Sequence, residues 1–439
     1  MGRRKGQRKG FRLYDVIVVG GGSAGLMAAV GAVTQGAKVL LLEKGEKLGR
    51  KLIISGGGRC NVTNAKEIDA LIANIPGNGR FMYSAFSTFG NREIIRFFEG
   101  LGVLLKEEDH GRMFPVTDSA LTVAKSLIAF IRERGVTLRT KAPVGQVLAK
   151  EGAIQGVRLR DGEVIPGRAV IVATGGKSVP RTGSTGDGYE WARELGHTIT
   201  PLYPTEVPLR SDEEWIRKGM LQGLSLREIE ISLYVHNGKR ITTQEGDLLF
   251  THFGLSGPAA LRLGHYVSRA LMKDPSERLL ARIDLFPRST GEILSREIWK
   301  RVKDDGKKTV KNSLKGFLPE RMIPLFLQYA EIEGEKVGAQ LSRKEVDTLL
   351  SFLKGWPVRI TGTLSLEESF VTGGGVSVKE IDPKTFSSKL VRGLYFAGEI
   401  MDVHGHTGGY NITVAFSSGY LAGRAAASYA LEKTFSEEN

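Results

Sequence analysis

Residues 14 to 43, YDVIVVGGGSAGLMAAVGAVTQGAKVLLLE, constrain the fold of this chain more than any other stretch. Four branched apolar residues, Val16 to Val19, run straight into Gly20, Gly21 and Gly22. Gly25 follows inside an Ala/Leu/Met/Val-rich helical pattern, and a second apolar run, Val39 to Leu42, ends on Glu43. That order predicts a buried parallel strand, a tight turn, a helix and a second strand. Gly20 permits the turn, Gly22 lets a pyrophosphate approach the backbone, and Gly25 lets the helix lie close to the sheet. The helix N-terminus, with Ser23 and Ala24 in its first turn, then faces the phosphates. Glu43 stands where it can bind a ribose diol, with Lys44 beside it. A GxGxxG spacing alone is a weak signal, because glycines often serve only packing. Strand, helix, second strand and acid in this order make an adenine dinucleotide the expected ligand.

The chain is long enough, at 439 residues with 41% hydrophobic and 25% charged, to bury a sizeable core in two or three domains. Many of its 56 glycines fall in clusters, which points to backbone pressed against a ligand in several places. Cys60 is the single cysteine, so a disulfide framework and an intramolecular redox pair are excluded, and a reducing cytoplasm is the expected compartment. No signal peptide and no membrane span is expected, since no uninterrupted apolar stretch approaches the needed length. The formal charge of +14 has two readings, a nucleic-acid surface or solubility with attraction of anionic cofactors and substrates. Lysines and arginines are spread along the chain without aromatic interleaving, and only MGRRKGQRKG at the start is densely basic. No specific nucleic-acid partner is therefore expected.

After Glu43, residues 49 to 64 are too rich in glycine and small polar residues for a plain helix, and a loop is expected to bring Arg50, Ser55, Arg59, Asn61, Thr63 and Asn64 against the ligand. A helix over 90 to 100 and an edge strand over 101 to 105 follow, then a helix from Ala120 to Arg134 and a strand from Val136 to Arg139. Val144 to Ala149, Ile154 to Leu159 and Glu163 to Ile165 read as an antiparallel meander with an Asp161-Gly162 turn, after which residues 169 to 176 rejoin the parallel sheet. From His197 to about 358 the pattern changes to alternating strands and then to charged amphipathic helices. GLYFAGE at 393 to 399 restores the first pattern, and the glycine-rich segment after it becomes a long helix. The expected architecture is α/β: a discontinuous Rossmann-like domain over 12–196 and 359–439, with an inserted domain over 197–358 that has a β-barrel-like part and a helical part.

Several segments together resemble the YhiN/BaiN-like flavoproteins, a family with aminoacetone oxidase-like members. They are VGGGSAGLMAA (19 to 29), KLIISGGGRCNVTN (51 to 64), GRMFPVTDSA (111 to 120), IVATGGKSVPRTGSTGDGY (171 to 189), LFTHFGLSGPA (249 to 259), FVTGGGV (370 to 376) and LYFAGEIMDVHGHTGGYN (394 to 411). They span nearly the whole chain, and ISGGGRCNVTN and HTGGYN are far more specific than the first glycine motif. The resemblance implies noncovalent FAD with the inserted domain above the flavin. It puts Gly20, Gly22 and Gly25 at the pyrophosphate and Glu43 at the adenosine ribose. It puts the loop from Ser55 through Gly56, Arg59, Cys60 and Asn61 to Asn64 on the flavin side, Gly398 and Glu399 by the ribityl-pyrophosphate, and Gly409, Tyr410 and Asn411 at the pyrimidine edge of the ring. Lys44, Arg50, Val144, Ala173, Thr174, Gly175 and Gly408 complete the expected cofactor contacts.

The residues themselves also favour FAD over NAD, because a distant C-terminal glycine turn and helix are available to bind a second end of an extended cofactor. That helix directs its N-terminal amides at the N1/O2 edge, where negative charge accumulates on reduction. The expected function is an FAD-dependent oxidoreductase of a small organic substrate, with transient NADH or NADPH as the reducing partner. A flavin oxidase of a small amine and a flavin-containing RNA-binding module are the alternatives. His406 and Tyr410 are the candidate proton-handling side chains, His404 is a candidate contact to substrate or phosphate, Arg112 and Arg181 are candidate contacts to an anionic group, and His252 reads as a support for the β-to-helix turn of the insert. Cys60 reads either as a thiol activated by Arg59 or as a small apolar filler. No metal site is expected, since His404 and His406 lack an evident third ligand.

Overall fold

The computed structural model describes residues 13–304 and 307–438. The basic run at 1 to 10 and residue 12, the expected start of the first domain, lie outside the described residues. The chain forms two compact units, one of residues 1–203 with 371–439 and one of residues 204–370.

In the first unit the main sheet is built from β1 (Tyr14–Val19), β2 (Val39–Leu42), β3 (Thr137–Arg139), β4 (Val144–Lys150), β5 (Ala153–Leu159), β6 (Val164–Val172) and β7 (Leu394–Phe396). Their spatial order is β3-β2-β1-β6-β5-β4, with β7 also paired to β6. Strands β3, β2, β1, β6 and β7 are parallel neighbours: Val16 lies opposite Val39 and Ala169, and Leu394 opposite Val170. All six residues of β1 are buried or nearly so, as a strand covered on both faces requires. Helix α1 (Ser23–Val33) buries its sequence from Ala24 to Ala32. Its second wall is α2 (Tyr410–Glu438), and the two meet backbone to backbone: a Cβ on Gly423 would lie 2.1 Å from the Ala28 carbonyl oxygen, and one on Gly419 2.3 Å from that of Ala24. A helix apolar on all sides is one buried on all sides.

Three local expectations differ from the structure. The expected edge strand at 101 to 105 starts only at Leu105 and runs to Glu108, because Gly102 takes φ +79° and turns the chain after the preceding helix. Residues 49 to 64 contain more order than a loop: Arg50–Ile54 is helical, Ser55–Gly58 is a 3-10 turn with left-handed Gly56 and Gly57, and Thr63–Asn64 is a short strand. The meander's last strand and the returning sheet strand are one strand, β6. It pairs antiparallel with β5 from Val164 to Pro166 and parallel with β1 from Gly167 onward.

The second unit holds a seven-stranded sheet whose assigned pairings are antiparallel. Its outermost strands in that order, Trp356–Ile360 and Gly362–Thr363, are separated by one residue, so the sheet curls back on itself as a barrel does. Helices Gly291–Asp304, Ile323–Tyr329 and Arg343–Leu353 pack on it around Trp215, Phe250, Phe326 and Trp356. The units divide beyond 197 and 358 because Ile199–Thr205 and Val371–Val376 pair with each other as the chain leaves and returns.

One buried histidine is expected to make the stability of the first unit depend on pH. Ser388 Oγ accepts the amide protons of Leu390 and Val391, so its own proton goes to His197 Nε2 at 2.8 Å, and His197 Nδ1 faces Glu380 at 3.2 Å. Burial holds this imidazole below its ordinary value against the opposing pull of Glu380. A depressed pKa in the folded state makes the contribution of the neutral ring full above the unfolded value of about 6.5, and loses it as pH falls through the folded value. The thermal midpoint is expected to fall between pH 6.5 and 5.5, and His197→Asn to flatten that part of the profile. Superimposable profiles would contradict the assignment.

Candidate functional site

The carboxyl ends of the parallel strands converge at one edge of the first unit, the usual ligand position in an open α/β sheet. β1 leads into Gly20, β2 into Glu43, β6 into Ala173, Thr174 and Gly175, and β7 into Gly398 and Glu399. The turn after β1 is as tight as its sequence requires. A Cβ on Gly20 would meet the Ala173 carbonyl oxygen at 2.4 Å, and one on Gly25 the Gly20 carbonyl oxygen at 1.8 Å. A Cβ on Gly22 would have nothing within 4 Å, so the backbone before α1 is open to an approaching group. No side chain caps α1 and no acid stands in its first turn, which leaves the amides near Ser23 and Ala24 for an anion.

Glu43 is oriented by backbone: its Oε2 accepts the Gly21 amide at 2.8 Å and its Oε1 the Gly45 amide at 2.7 Å. One acceptor position per oxygen is used, and the others remain for a diol. The Thr174 hydroxyl is buried at the same edge with no hydrogen-bond partner. An open glycine, an uncapped helix N-terminus, an oriented carboxylate and an orphaned hydroxyl together fit the adenosine pyrophosphate half of FAD. Lys44 and Arg50 flank this edge, Lys44 bonding Thr185 and Asp187 (2.7 Å) and Arg50 the Arg181 carbonyl, so the segment from 178 to 187 is fastened over residues 44 to 51. Burial works to raise the Asp187 pKa, but Lys44 and Thr185 hold it below the usual range. Val144 lies in the buried core at the start of β4.

The other end of the edge is made by two loops that the fold joins directly, at Asn64 and Gly408, 344 residues apart in sequence. Asn64 Nδ2 donates to the Gly408 carbonyl at 3.0 Å, the Thr63 and Thr413 hydroxyls are 2.7 Å apart, and a Cβ on Gly409 would meet Thr63 backbone at 2.7 Å. The Asn411 carboxamide closes the returning loop by accepting the Gly405 amide at 2.8 Å and donating to the Gly405 carbonyl at 2.7 Å. His406 and Tyr410 are buried in that loop, with the His406 amide on the Asn74 carbonyl at 2.9 Å. His404 pairs through its backbone with Gly77, and its ring meets Tyr203 edge-on with the hydroxyl 3.5 Å from Nε2.

Other candidates are committed elsewhere. The Arg59 guanidinium binds Glu108 and Asp118 and lies 4.2 Å from the Phe114 ring centroid, which Arg112 also approaches. Cys60 is wholly buried, and burial pushes its thiol up to about 12 against one hydrogen bond with Ser55, so the thiol stays protonated and the filler reading prevails over the activated one. Glu399 Oε2 accepts Lys51 at 2.7 Å, while Oε1 accepts Ser178 Oγ at 3.0 Å and the Thr372 amide at 2.9 Å. Burial alone would raise the Glu399 pKa, and Lys51 with these hydrogen bonds holds it below the ordinary carboxylate value. Lys51, Ser178, Thr372, Thr413 and Tyr203 contact the candidate residues Glu399, Thr63 and His404, and sequence reasoning passes over them. Lys51, Ser178 and Thr372 lie in the motif segments 51 to 64, 171 to 189 and 370 to 376, which is the local signal that could have found them. His252 belongs to the second unit, where it meets Phe253 edge-on.

Comparison with known proteins agrees with this architecture. The profile described as HI0933-like protein Rossmann domain matches residues 14–425. The chain is 29% identical over 415 residues to 3-dehydro-bile acid delta(4,6)-reductase of Clostridium scindens, covering 93% of this chain and 98% of that one. It is 32% identical over 406 residues to ribosomal RNA dihydrouridine synthase of Haemophilus influenzae, covering 92% and 96%. Among solved structures, Mycobacterium smegmatis Sdh1 in complex with UQ1 shares the fold with a TM-score of 0.50 at 18% identity, over 97% of this chain and 72% of that one.

Proposed function

The chain belongs to the HI0933-like family and is an FAD-dependent oxidoreductase, and from that premise we propose that it reduces a carbon–carbon double bond conjugated to a carbonyl, with NADH or NADPH as the electron source. The observation that carries this reading is chemical kinship between two relatives named for different substrates. A 3-dehydro-delta(4,6) bile acid has its double bonds in line with the C3 ketone, and dihydrouridine is uridine whose C5–C6 double bond, conjugated to C4=O, has been reduced. Reducing the double bond next to the carbonyl in either compound would add a hydride to the β-carbon and a proton to the α-carbon. One site built for that addition serves either acceptor, a small enone or a uracil base.

When bound, FAD would supply hydride transfer through N5 between a reduced donor and the acceptor. Gly22 and the first amides of α1 would hold the pyrophosphate, and Glu43 the ribose. The N-terminus of α2 would face the pyrimidine edge, where its positive end would favour the negative charge that reduction brings. His406 and Tyr410, on the loop closed by Asn411, handle the proton for the α-carbon. No helix among the described residues is long and apolar enough to cross a membrane.

Anaerobic stopped-flow mixing tests the reductive half. NADH or NADPH is expected to bleach the oxidised flavin absorbance within the turnover time, and small amines to leave it unchanged. Bleaching by an amine but not by NAD(P)H, followed by recovery in oxygen with hydrogen peroxide release, would establish an amine oxidase instead.

A further inference from the structure

We propose that the Asn61 carboxamide reads the polar edge of the bound flavin ring and sets its reduction potential. The proposal needs only FAD binding and is independent of which acceptor the enzyme reduces. Asn61 is 7% exposed, and its Oδ1 is fully buried with no hydrogen-bond partner. A buried acceptor left unpaired is disfavoured, so the fold retains it against a penalty that a bound donor would remove.

The carboxamide points at a particular place. A Cβ on Gly409 would stand 3.0 Å from Asn61 Oδ1, and Gly409 immediately precedes the 29-residue helix α2, whose first turn carries no acid. The surrounding polar side chains are occupied: Thr63 with Thr413, Asn64 with the Gly408 and His110 carbonyls, and Asn411 with Gly405. Asn61 is thus the side chain in this group with an unsatisfied buried acceptor at the helix N-terminus.

The pyrimidine half of a flavin presents C=O, N–H and C=O groups in alternation. A carboxamide carries an acceptor and two donors on adjacent atoms, so it matches a neighbouring N–H and C=O pair. The match is not neutral toward electron transfer. Electron density rises on the ring carbonyls on reduction, so a donated N–H bond binds the reduced form more strongly than the oxidised form. A carboxylate at residue 61 would offer acceptors only and repel that density.

The test compares midpoint potentials of flavin-loaded wild type, Asn61→Ala and the nearly isosteric Asn61→Asp, measured by equilibration with a reference dye, without substrate or turnover. Asn61→Ala is expected to lose about tenfold of the preference for reduced over oxidised FAD, which for a two-electron couple lowers the potential by about 30 mV. Asn61→Asp is expected to lie lower still. Potentials that are unchanged or raised in both variants would overturn the proposal whatever happens to FAD affinity, since a packing role alters binding of both redox forms alike. If Asn61→Ala does not fold, Asn61→Asp decides alone. Because no acceptor is present, an unchanged potential leaves the double-bond reading intact, and a failure of that reading leaves this one standing.

Discussion

Gly25→Ala is expected to cost the enzyme both its FAD and part of its fold, whereas Gly22→Ala is expected to cost FAD with little change in the fold. The two glycines are three residues apart in the same turn, yet their surroundings are opposite. A methyl group on Gly25 would sit 1.8 Å from the Gly20 carbonyl oxygen and 3.3 Å from Val18 Cγ1, so α1 must move away from the end of β1 to admit it. Backbone, not a flexible side chain, is the obstacle, and overpacking of that kind costs about 1–3 kcal/mol or more. The same displacement moves the helix N-terminus from the phosphates, and a loss of about 2.7 kcal/mol there is a hundredfold loss of affinity. Gly22 has φ −81° and open space, so alanine fits with no strain and loses under about 1 kcal/mol as a poorer N-cap. Its methyl group nevertheless occupies the room through which the pyrophosphate approaches. FAD titration and thermal melting of the apoproteins separate the two effects. Wild-type FAD affinity in Gly25→Ala would mean that the turn after β1 does not hold the cofactor.

The displacement has a longer reach because α1 is wedged between the sheet and α2. Gly419 and Gly423 bring α2 against the Ala24 and Ala28 carbonyls, and Gly398 brings the turn after β7 within 2.7 Å of Ala24 Cβ for an added methyl. The two ends of the candidate site are therefore tied together by small-residue contacts along α1. Stability and cofactor binding are expected to change together for substitutions along it.

What the sequence made legible was local. Val16 to Val19, the glycine turn and Glu43 predict β1, α1 and β2 because burial on both faces leaves an uninterrupted apolar run, and the family resemblance extends that reading to the cofactor. The return of the same pattern at 393 to 411 made the discontinuous domain legible, since β7 supplies a further parallel edge to β6. The continuity of β6 was hidden by Pro166, Gly167 and Arg168, which break the apolar run where the strand changes partners from β5 to β1. The ion pair of Lys51 with Glu399 joins positions 348 residues apart, and His197 meets Ser388 across 191. No periodicity or spacing encodes such contacts, because the sheet and not the chain makes them neighbours. Arg59 shows the opposite limit. A basic residue beside Cys60 invites a chemical reading, and the acids that engage it, Glu108 and Asp118, come from a separate strand and turn.

The oxidative half-reaction tests the proposed chemistry most directly. Enzyme photoreduced without oxygen is mixed with matched pairs of compounds: a steroid 4-en-3-one with its saturated ketone, and a uridine-containing RNA with its dihydrouridine counterpart. Flavin absorbance is expected to return with at least one conjugated member, at least a hundredfold faster than with its saturated partner, and the product to gain two hydrogens, one at the β-carbon from the flavin and one at the α-carbon from solvent. In deuterium oxide both carbons are expected to carry deuterium, the α-carbon from solvent directly and the β-carbon through flavin N5–H, which exchanges with solvent. If no carbonyl-conjugated double bond restores the absorbance and only oxygen does so, with release of hydrogen peroxide, the enzyme is not a double-bond reductase.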